Sequence, residues 1–389
     1  MALTTLPTAA FATGSVGTSQ LADGAVTTEK LVADVNFRNI IINGDMSIAQ
    51  RGAGPSGAFA SGQYIQGPDR YKIDISNMGN WKSSQSTDVP SGQGFNYSLK
   101  LDCDAADASP SAGDFIYLNQ PIEGFNTASF KFGSSSAESL TLSFWVKSNK
   151  TGTYIVRFYD IDNQRALSQS YTISSASTWE KKTITISGDT VSGPNYDNGY
   201  AFAINWCLGA GTTYTSGTLN TSWNSLTSAD QFVGQVNLAD STSNEWYVTG
   251  AQLEVGTSAS DFEFLPYDVN LRRCQRYYFV INQSGANGGP LHPGRTNGSA
   301  DINNIGVACP VPLRIGNPSV TIQSGTIMQV WANTFSMTSA GGGSVTSLVN
   351  TGSDSIRLML NVNGFSGLSN GVAANWGPVI SGMPVDAEL

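Results

Sequence analysis

The chain has 389 residues, enough for two or three domains, and 13% of them are charged, about half the ~25% usual for soluble proteins. A net charge of −9 and a pI near 4.6 argue against nucleic acid and anionic membranes as partners, because binding phosphate needs a basic face. No apolar run approaches the ~20 residues of a membrane span, and the opening Met1-Ala-Leu-Thr-Thr-Leu-Pro7 lacks the basic start of a secretion signal. Cys103, Cys207, Cys274 and Cys309 are too scattered for a paired metal site and read as buried free thiols of a chain made in a reducing cytosol.

In chain order, residues 1–14 are uncharged, with Phe11 the one aromatic, and can dock into a neighbouring protein or fray. Residues 15–24 and 25–34 then align as a ten-residue repeat, Val16 with Val26, Thr18 with Thr28 and Leu21 with Leu31. The apolar positions Val16, Leu21, Val26 and Leu31 fall every fifth residue, which is neither a helical nor a strand period. Burying one Val and one Leu yields about 3–6 kcal/mol, whereas ordering ten backbones costs on the order of 10–20 kcal/mol. Such a unit holds together only if identical chains supply apolar partners and hydrogen bonds around a common axis. The repeat is therefore expected to be the shaft of a homotrimer. Its small polar composition also permits a linker without fixed structure.

From residue 39 the texture changes. Residues 39–52 read as a strand, an Asn43-Gly44 turn and a second strand. Further on, Leu140, Leu142, Phe144 and Val146 alternate with Thr141, Ser143 and Lys147, and the period repeats in Tyr154, Val156 and Phe158, then Ile184 and Ile186, then Tyr200, Phe202, Ile204 and Trp206. Lys150-Thr-Gly152, Ser187-Gly-Asp189 and Asp197-Asn-Gly199 supply turns between them. The expectation is an all-β protein: an antiparallel jelly-roll sandwich between a short shaft and a smaller C-terminal β domain.

The quoted stretch Asn39-Ile-Ile-Ile-Asn-Gly-Asp-Met-Ser-Ile-Ala-Gln-Arg-Gly52 resembles the start of a jelly-roll domain of tailed-bacteriophage tail fibres and appendages, a domain described as carbohydrate-binding-like. Pro68-Asp-Arg-Tyr71, Gln120-Pro-Ile-Glu-Gly124, Leu140-Thr-Leu-Ser-Phe-Trp-Val-Lys147, Gly250-Ala-Gln-Leu-Glu-Val-Gly256 and Leu271-Arg-Arg-Cys-Gln-Arg-Tyr-Tyr278 continue the resemblance in order over residues 38–280. Beyond 280 it is carried loosely by Val311-Pro-Leu-Arg314 and Asp386-Ala-Glu-Leu389. The resemblance implies a virion protein: residues 1–37 for attachment and shaft, 38–268 the jelly roll, 269–389 a tip domain. It also implies a virion partner at the N-terminus and a host-surface glycan as ligand.

Residues 268–277 lack Gly and Pro and predict a short helix capped by Asp268, with Leu271, Cys274 and Tyr278 on one side. Strands are predicted over 302–311, 320–322, 327–335 and 355–362, separated by long loops over 282–299 and 339–344, with a polar, solvent-facing C-terminus.

The chemistry is sparse. The single histidine, His292, lies in a Pro-flanked turn, which removes the common Ser–His and Cys–His schemes. Two-carboxylate glycoside hydrolysis is open to any chain this rich in acids, yet the rung repeat of a degrading spike is not visible. Asp102, Asp104 and Asp107, or Asp160 to Asn163, could face a calcium ion but read as solvated loop acids, so neither metal nor cofactor is expected. Trp145, Trp179, Trp206 and Trp246 fall in strand patterns and read as core. Trp81, Trp223, Trp331 and Trp376 lie beside polar or Gly/Asn-rich sequence and are the expected sugar-stacking platforms. The functional expectation is adhesion without catalysis; the rivals are a capsid or neck decoration and a polysaccharide-degrading spike.

Overall fold

The computed structural model describes residues 37–55, 57–281, 292–297, 301–315, 318–321, 327–332, 335–340, 345–348, 357–362, 373–380 and 383–388. The shaft positions Val16, Leu21, Val26 and Leu31 lie outside the described residues. Eleven antiparallel strands build the main body: β1 (Phe59–Tyr64), β2 (Lys72–Ser86), β3 (Ser98–Ala105), β4 (Phe115–Glu123), β5 (Leu140–Ser148), β6 (Gly152–Asp160), β7 (Arg165–Ile173), β8 (Glu180–Ile186), β9 (Tyr200–Ala210), β10 (Asn224–Ser225) and β11 (Glu245–Val255). They pair in the order β10-β7-β6-β9-β4-β2-β3-β11-β5-β8, with β1 on β2.

One strand turns this path into two layers. The first part of β2 pairs with β4 over Lys72 to Asn77, and the second with β3 over Asn80 to Ser86. Between them Asn77 and Gly79 take positive φ of 48° and 72°. A Cβ on Gly79 would lie 2.3 Å from the Ala105 carbonyl oxygen, so the corner needs glycine. The two layers then close face to face as a jelly-roll sandwich. Phe144 of β5 meets Tyr171 of β7 edge-on at 5.2 Å and Trp206 of β9 at 5.8 Å. Leu140, Leu142, Phe144, Val146, Tyr154, Val156, Phe158, Phe202, Ile204 and Trp206 all point into this core, as their alternation predicts.

Residues 39–52 do not form the expected hairpin. Asn43 sits at φ 62°; its side-chain amide donates to the Ile48 and Asp69 carbonyls (both 2.9 Å) and its carbonyl accepts from Ile48 N (3.0 Å). This side-chain brace satisfies the backbone in place of a ladder. Ile42 and Ile48 are left free to pack on Cys274 and Tyr277.

A single-turn helix α1 (Thr212–Thr215) follows β9, and helix α2 spans Tyr267–Gln275. Pro266, not Asp268, occupies the α2 N-cap, and Asp268 lies in the first turn, where the helix dipole favours an acid. Asn270 and Cys274 are its buried residues, and Tyr278 already belongs to the next strand.

That strand, β12 (Tyr278–Ile281), precedes β13 (His292–Asn297), β14 (Asp301–Ala308), β15 (Ser319–Val320), β16 (Ile327–Ala332), β17 (Phe335–Ala340), β18 (Val345–Leu348), β19 (Arg357–Val362), β20 (Ala373–Ile380) and β21 (Met383–Asp386). Seven of these form a sheet in the order β17-β16-β20-β13-β14-β19-β18, and β12-β21-β15 form another. Two regions expected as loops thus contain strands, β13 and part of β17, because paired neighbours outweigh a Gly/Asn-rich composition. Ala387 and the Glu388 side chain, expected to face solvent, are buried. Glu388 is ion-paired with Arg70 and lies 3.3 Å from Arg51, and Arg314 donates to its carbonyl at 2.7 Å.

Candidate functional site

Two of the expected stacking platforms are core residues. Trp81 is 0% exposed and donates its indole N–H to the Met78 carbonyl at 2.7 Å. Trp223 is 9% exposed, donates to the Ser187 carbonyl at 2.8 Å and meets Phe132 edge-on at 5.5 Å. Their polar sequence neighbours mislead because β2 turns its corner at Asn77 and Gly79, just before Trp81, and the segment around β10 folds back onto the sandwich. Trp331 and Trp376 fall on the paired strands β16 and β20, opposite Asn375 and Val330 respectively, and His292 also faces Trp376 in register; their side chains lie outside the described residues.

Trp145, on the outer face of β5, and Trp179, just before β8, both expected in the core, are instead half-buried, while Trp206 and Trp246 are buried as expected. The strand period carried this information. With Leu142, Phe144 and Val146 inward, Trp145 must point outward beside Ser143 and Lys147.

That outer face is laid out in rows by the strand register. Tyr247 of β11 stands opposite Lys100 of β3 on one side and Lys147 of β5 on the other. The Lys147 ammonium lies 4.2 Å from the Tyr247 ring centre and 5.6 Å from that of Trp179. Trp179 and Tyr247 approach at 6.1 Å, edge to face. Asp88 binds this end, accepting the Trp179 indole N–H at 3.0 Å and ion-pairing with Lys147. At the other end Glu245 accepts from the Tyr247 hydroxyl and lies 2.9 Å from Lys100.

The next row is Thr249, Trp145 and Lys181. It opens onto a concavity of about 330 Å³ lined by Gln93, Phe95, Ser143, Trp145, Lys181, Asp261, Phe262 and Phe264, together with Gly92 and Gly250. Phe95, Phe262 and Phe264 form a triangle of rings with centres 4.9 to 5.1 Å apart, making one aromatic wall. The β11–β5 ladder loses register between Thr249 and Gln252, and this bulge carries Gly250 to φ 61° beside the Phe95 ring. Asp261 is the one carboxylate in the lining.

Charge is fixed in place around the rows. Burial and the neighbouring Glu245 push the Tyr247 phenol up to about 12, so it stays a hydroxyl. Burial alone would lower the Lys100 pKa, but its bond to Glu245 and nearby negative charge raise it. Burial opposes ionisation of Asp88, and its bonds from Lys147 and Trp179 outweigh that and hold it below the usual carboxylate range. The site therefore offers flat aromatic surface edged by permanent donors and acceptors. That combination suits a ligand with an apolar face and a rim of hydroxyl groups.

The candidate metal loops are otherwise engaged. Asp104 is ion-paired with Lys82, Asp102 lies 3.5 Å from Lys100, Asp107 caps Ser109 N, and Asp160 accepts from Asn163. Among the described residues no three His, Cys, Asp or Glu side chains gather, and no helix is long and apolar enough to cross a membrane.

No protein family and no curated protein matches the sequence. Solved structures similar to it include the enzymatically active domain of bacteriophage CBA120 tailspike protein 4, at 17% identity and a TM-score of 0.28, covering 56% of this chain and 21% of that one. A family 11 carbohydrate-binding module of Clostridium thermocellum gives 10% identity and a TM-score of 0.26, covering 53% and 100%. An exo-β-agarase gives 13% and 0.27, covering 53% and 26%. At such scores the likeness carries no argument about what this chain binds.

Proposed function

We propose that this chain is a non-catalytic, glycan-binding virion appendage of a tailed phage. In this reading it assembles as a homotrimer in the host cytoplasm and is held to the particle by its N-terminal segment. The observation that carries the reading is Trp145: a large aromatic turned outward from the middle of a sheet, in a cleft with Gln93, Ser143, Lys181 and Asp261 around it. A sugar ring stacks its C–H face on the indole while those four groups bond its hydroxyls. Adhesion rather than cleavage is supported by the lining's lone carboxylate, since glycoside hydrolysis uses two. Each site is shallow and weak by itself, and three on one particle surface convert it into useful avidity.

Binding of the intact chain to host-derived surface polysaccharide tests this directly. Trp145→Ala is expected to weaken binding by about tenfold, the equivalent of one stacking contact of roughly 1.4 kcal/mol, while Trp179→Ala weakens it less. Undiminished binding by the Trp145 variant would sink the site. Release of shortened glycan on prolonged incubation would replace adhesion with hydrolysis.

A further inference from the structure

Nearly every lysine of the described surface is cancelled by an acid. Lys147 pairs with Asp88, Lys100 with Glu245, Lys82 with Asp104 and Lys182 with Glu180, and Lys131 and Lys150 hold Glu138 and Asp240. Lys72 is buried beside the Tyr200 ring. Among the described residues Lys181 is thus the one exposed or half-buried lysine that no carboxylate neutralises, and it lines the cleft. Its place there is set by the ladder. Lys181 stands directly opposite Trp145 in the β5–β8 register, and side chains so opposed lie about 5 Å apart at Cβ. Lys147 follows Trp145 by two residues on the same face of β5, about 7 Å further along. A sugar ring stacked on Trp145 therefore has a free ammonium at its rim and a second, already paired, behind it. Asp261 shares the lining but does not pair with Lys181. Its main-chain carbonyl accepts from Arg38 Nη2 at 2.6 Å and Gln252 Nε2 at 3.2 Å, which fixes the residue beside Phe262 and leaves its carboxylate to the cleft.

We infer that the cleft selects an acidic glycan, one whose stacked sugar carries a carboxylate as hexuronates do, and that Lys181 sets this selectivity. The inference rests on the proposed glycan reading and names its ligand class. A sugar hydroxyl would meet the Lys181 ammonium in an ordinary hydrogen bond, whereas a carboxylate meets it in a charge-assisted one, roughly twice as strong. The surroundings sharpen the difference. A chain of net charge −9 repels polyanions at long range, so an acidic polymer depends on a local, uncancelled cation where its ring stacks, and a neutral one does not. The two unpaired charges also orient the ring, with its carboxylate toward Lys181 and its hydroxyls toward Asp261.

Calorimetric titration of the full chain reads this out, with oligomers of galacturonate, glucuronate and mannuronate set against neutral oligomers of galactose, glucose and mannose of equal length. The acidic set is expected to bind about tenfold more tightly, and its affinity to fall as salt rises from about 0.05 to 0.5 M. Lys181→Gln should erase both the preference and most of the salt dependence while leaving the weaker neutral binding in place. Lys181→Arg should keep the preference, and Trp145→Ala should weaken both sets. Neutral oligomers that bind as well as acidic ones, through Trp145, would overturn the acidic class and leave the glycan cleft standing. A preference for uronates that survives Lys181→Gln would overturn the role given to that lysine. Binding of neither set would remove the class and the cleft together.

Discussion

Gly250 is the residue on which the cleft turns. Its φ of 61° is costly for any side chain, and a Cβ would approach the Phe95 ring to 2.6 Å. Gly250→Ala is expected to lose about 1–3 kcal/mol of stability by urea denaturation, and to weaken glycan binding as the Phe95 wall moves. Asp69 makes a different prediction. Burial raises its pKa from 3.8 to about 6, against the opposing pull of its bonds from Gln50 and the charge of Arg51. A carboxyl raised in the folded state binds its proton there more tightly than in the unfolded chain. Its stabilising share is therefore full below pH 4 and is lost as pH rises through about 6. Melting curves of Asp69→Asn should show a flatter pH dependence than wild type between pH 4 and 6, and an unchanged slope would contradict the assignment.

Among the elements, strands with strict alternation were legible and places where side chains replace ladders were not. Leu140 to Val146 announce β5 and its inner face without help. The same parity put Trp145 outside, yet aromatic type outweighed position and assigned it to the core. Trp81 failed in the opposite direction, because nothing local says that β2 bends at Asn77 and Gly79 and carries its second half inward. Asn43-Gly44 has the composition of a hairpin turn; what decides it is Asp69, whose carbonyl Asn43 needs, 26 residues downstream. The Phe95, Phe262 and Phe264 wall joins segments more than 160 residues apart through the β11 pairing, so spacing along the chain could not reveal it. Glu388, the carboxylate partner of Arg70 and Arg51, is more remote still, 318 residues from the one and 337 from the other.

For the whole molecule, one continuous apolar cluster among the described residues runs from Ile41 through Leu253. A chain lacking residues 1–36 is expected to keep the near-UV spectrum of the intact protein and to melt within a few degrees of it, while no longer attaching to particles. A collapse of the spectrum would show that the repeat is part of the folding unit.

The way Phe37 joins the sandwich has a mechanical consequence for the proposed attachment through the N-terminal segment. Tension applied through the N-terminus reaches residues 39–44, whose bonds go to β11: Ile40 N to the Leu253 carbonyl at 2.9 Å, Asn39 Oδ1 from Leu253 N at 3.1 Å, and Ala251 N to the Gly44 carbonyl at 2.9 Å. β11 lies between β3 and β5, not at an edge. A pull on the tether is thus passed to the interior of a sheet and shared among its ladders, and no border strand has to be peeled away before the load is carried.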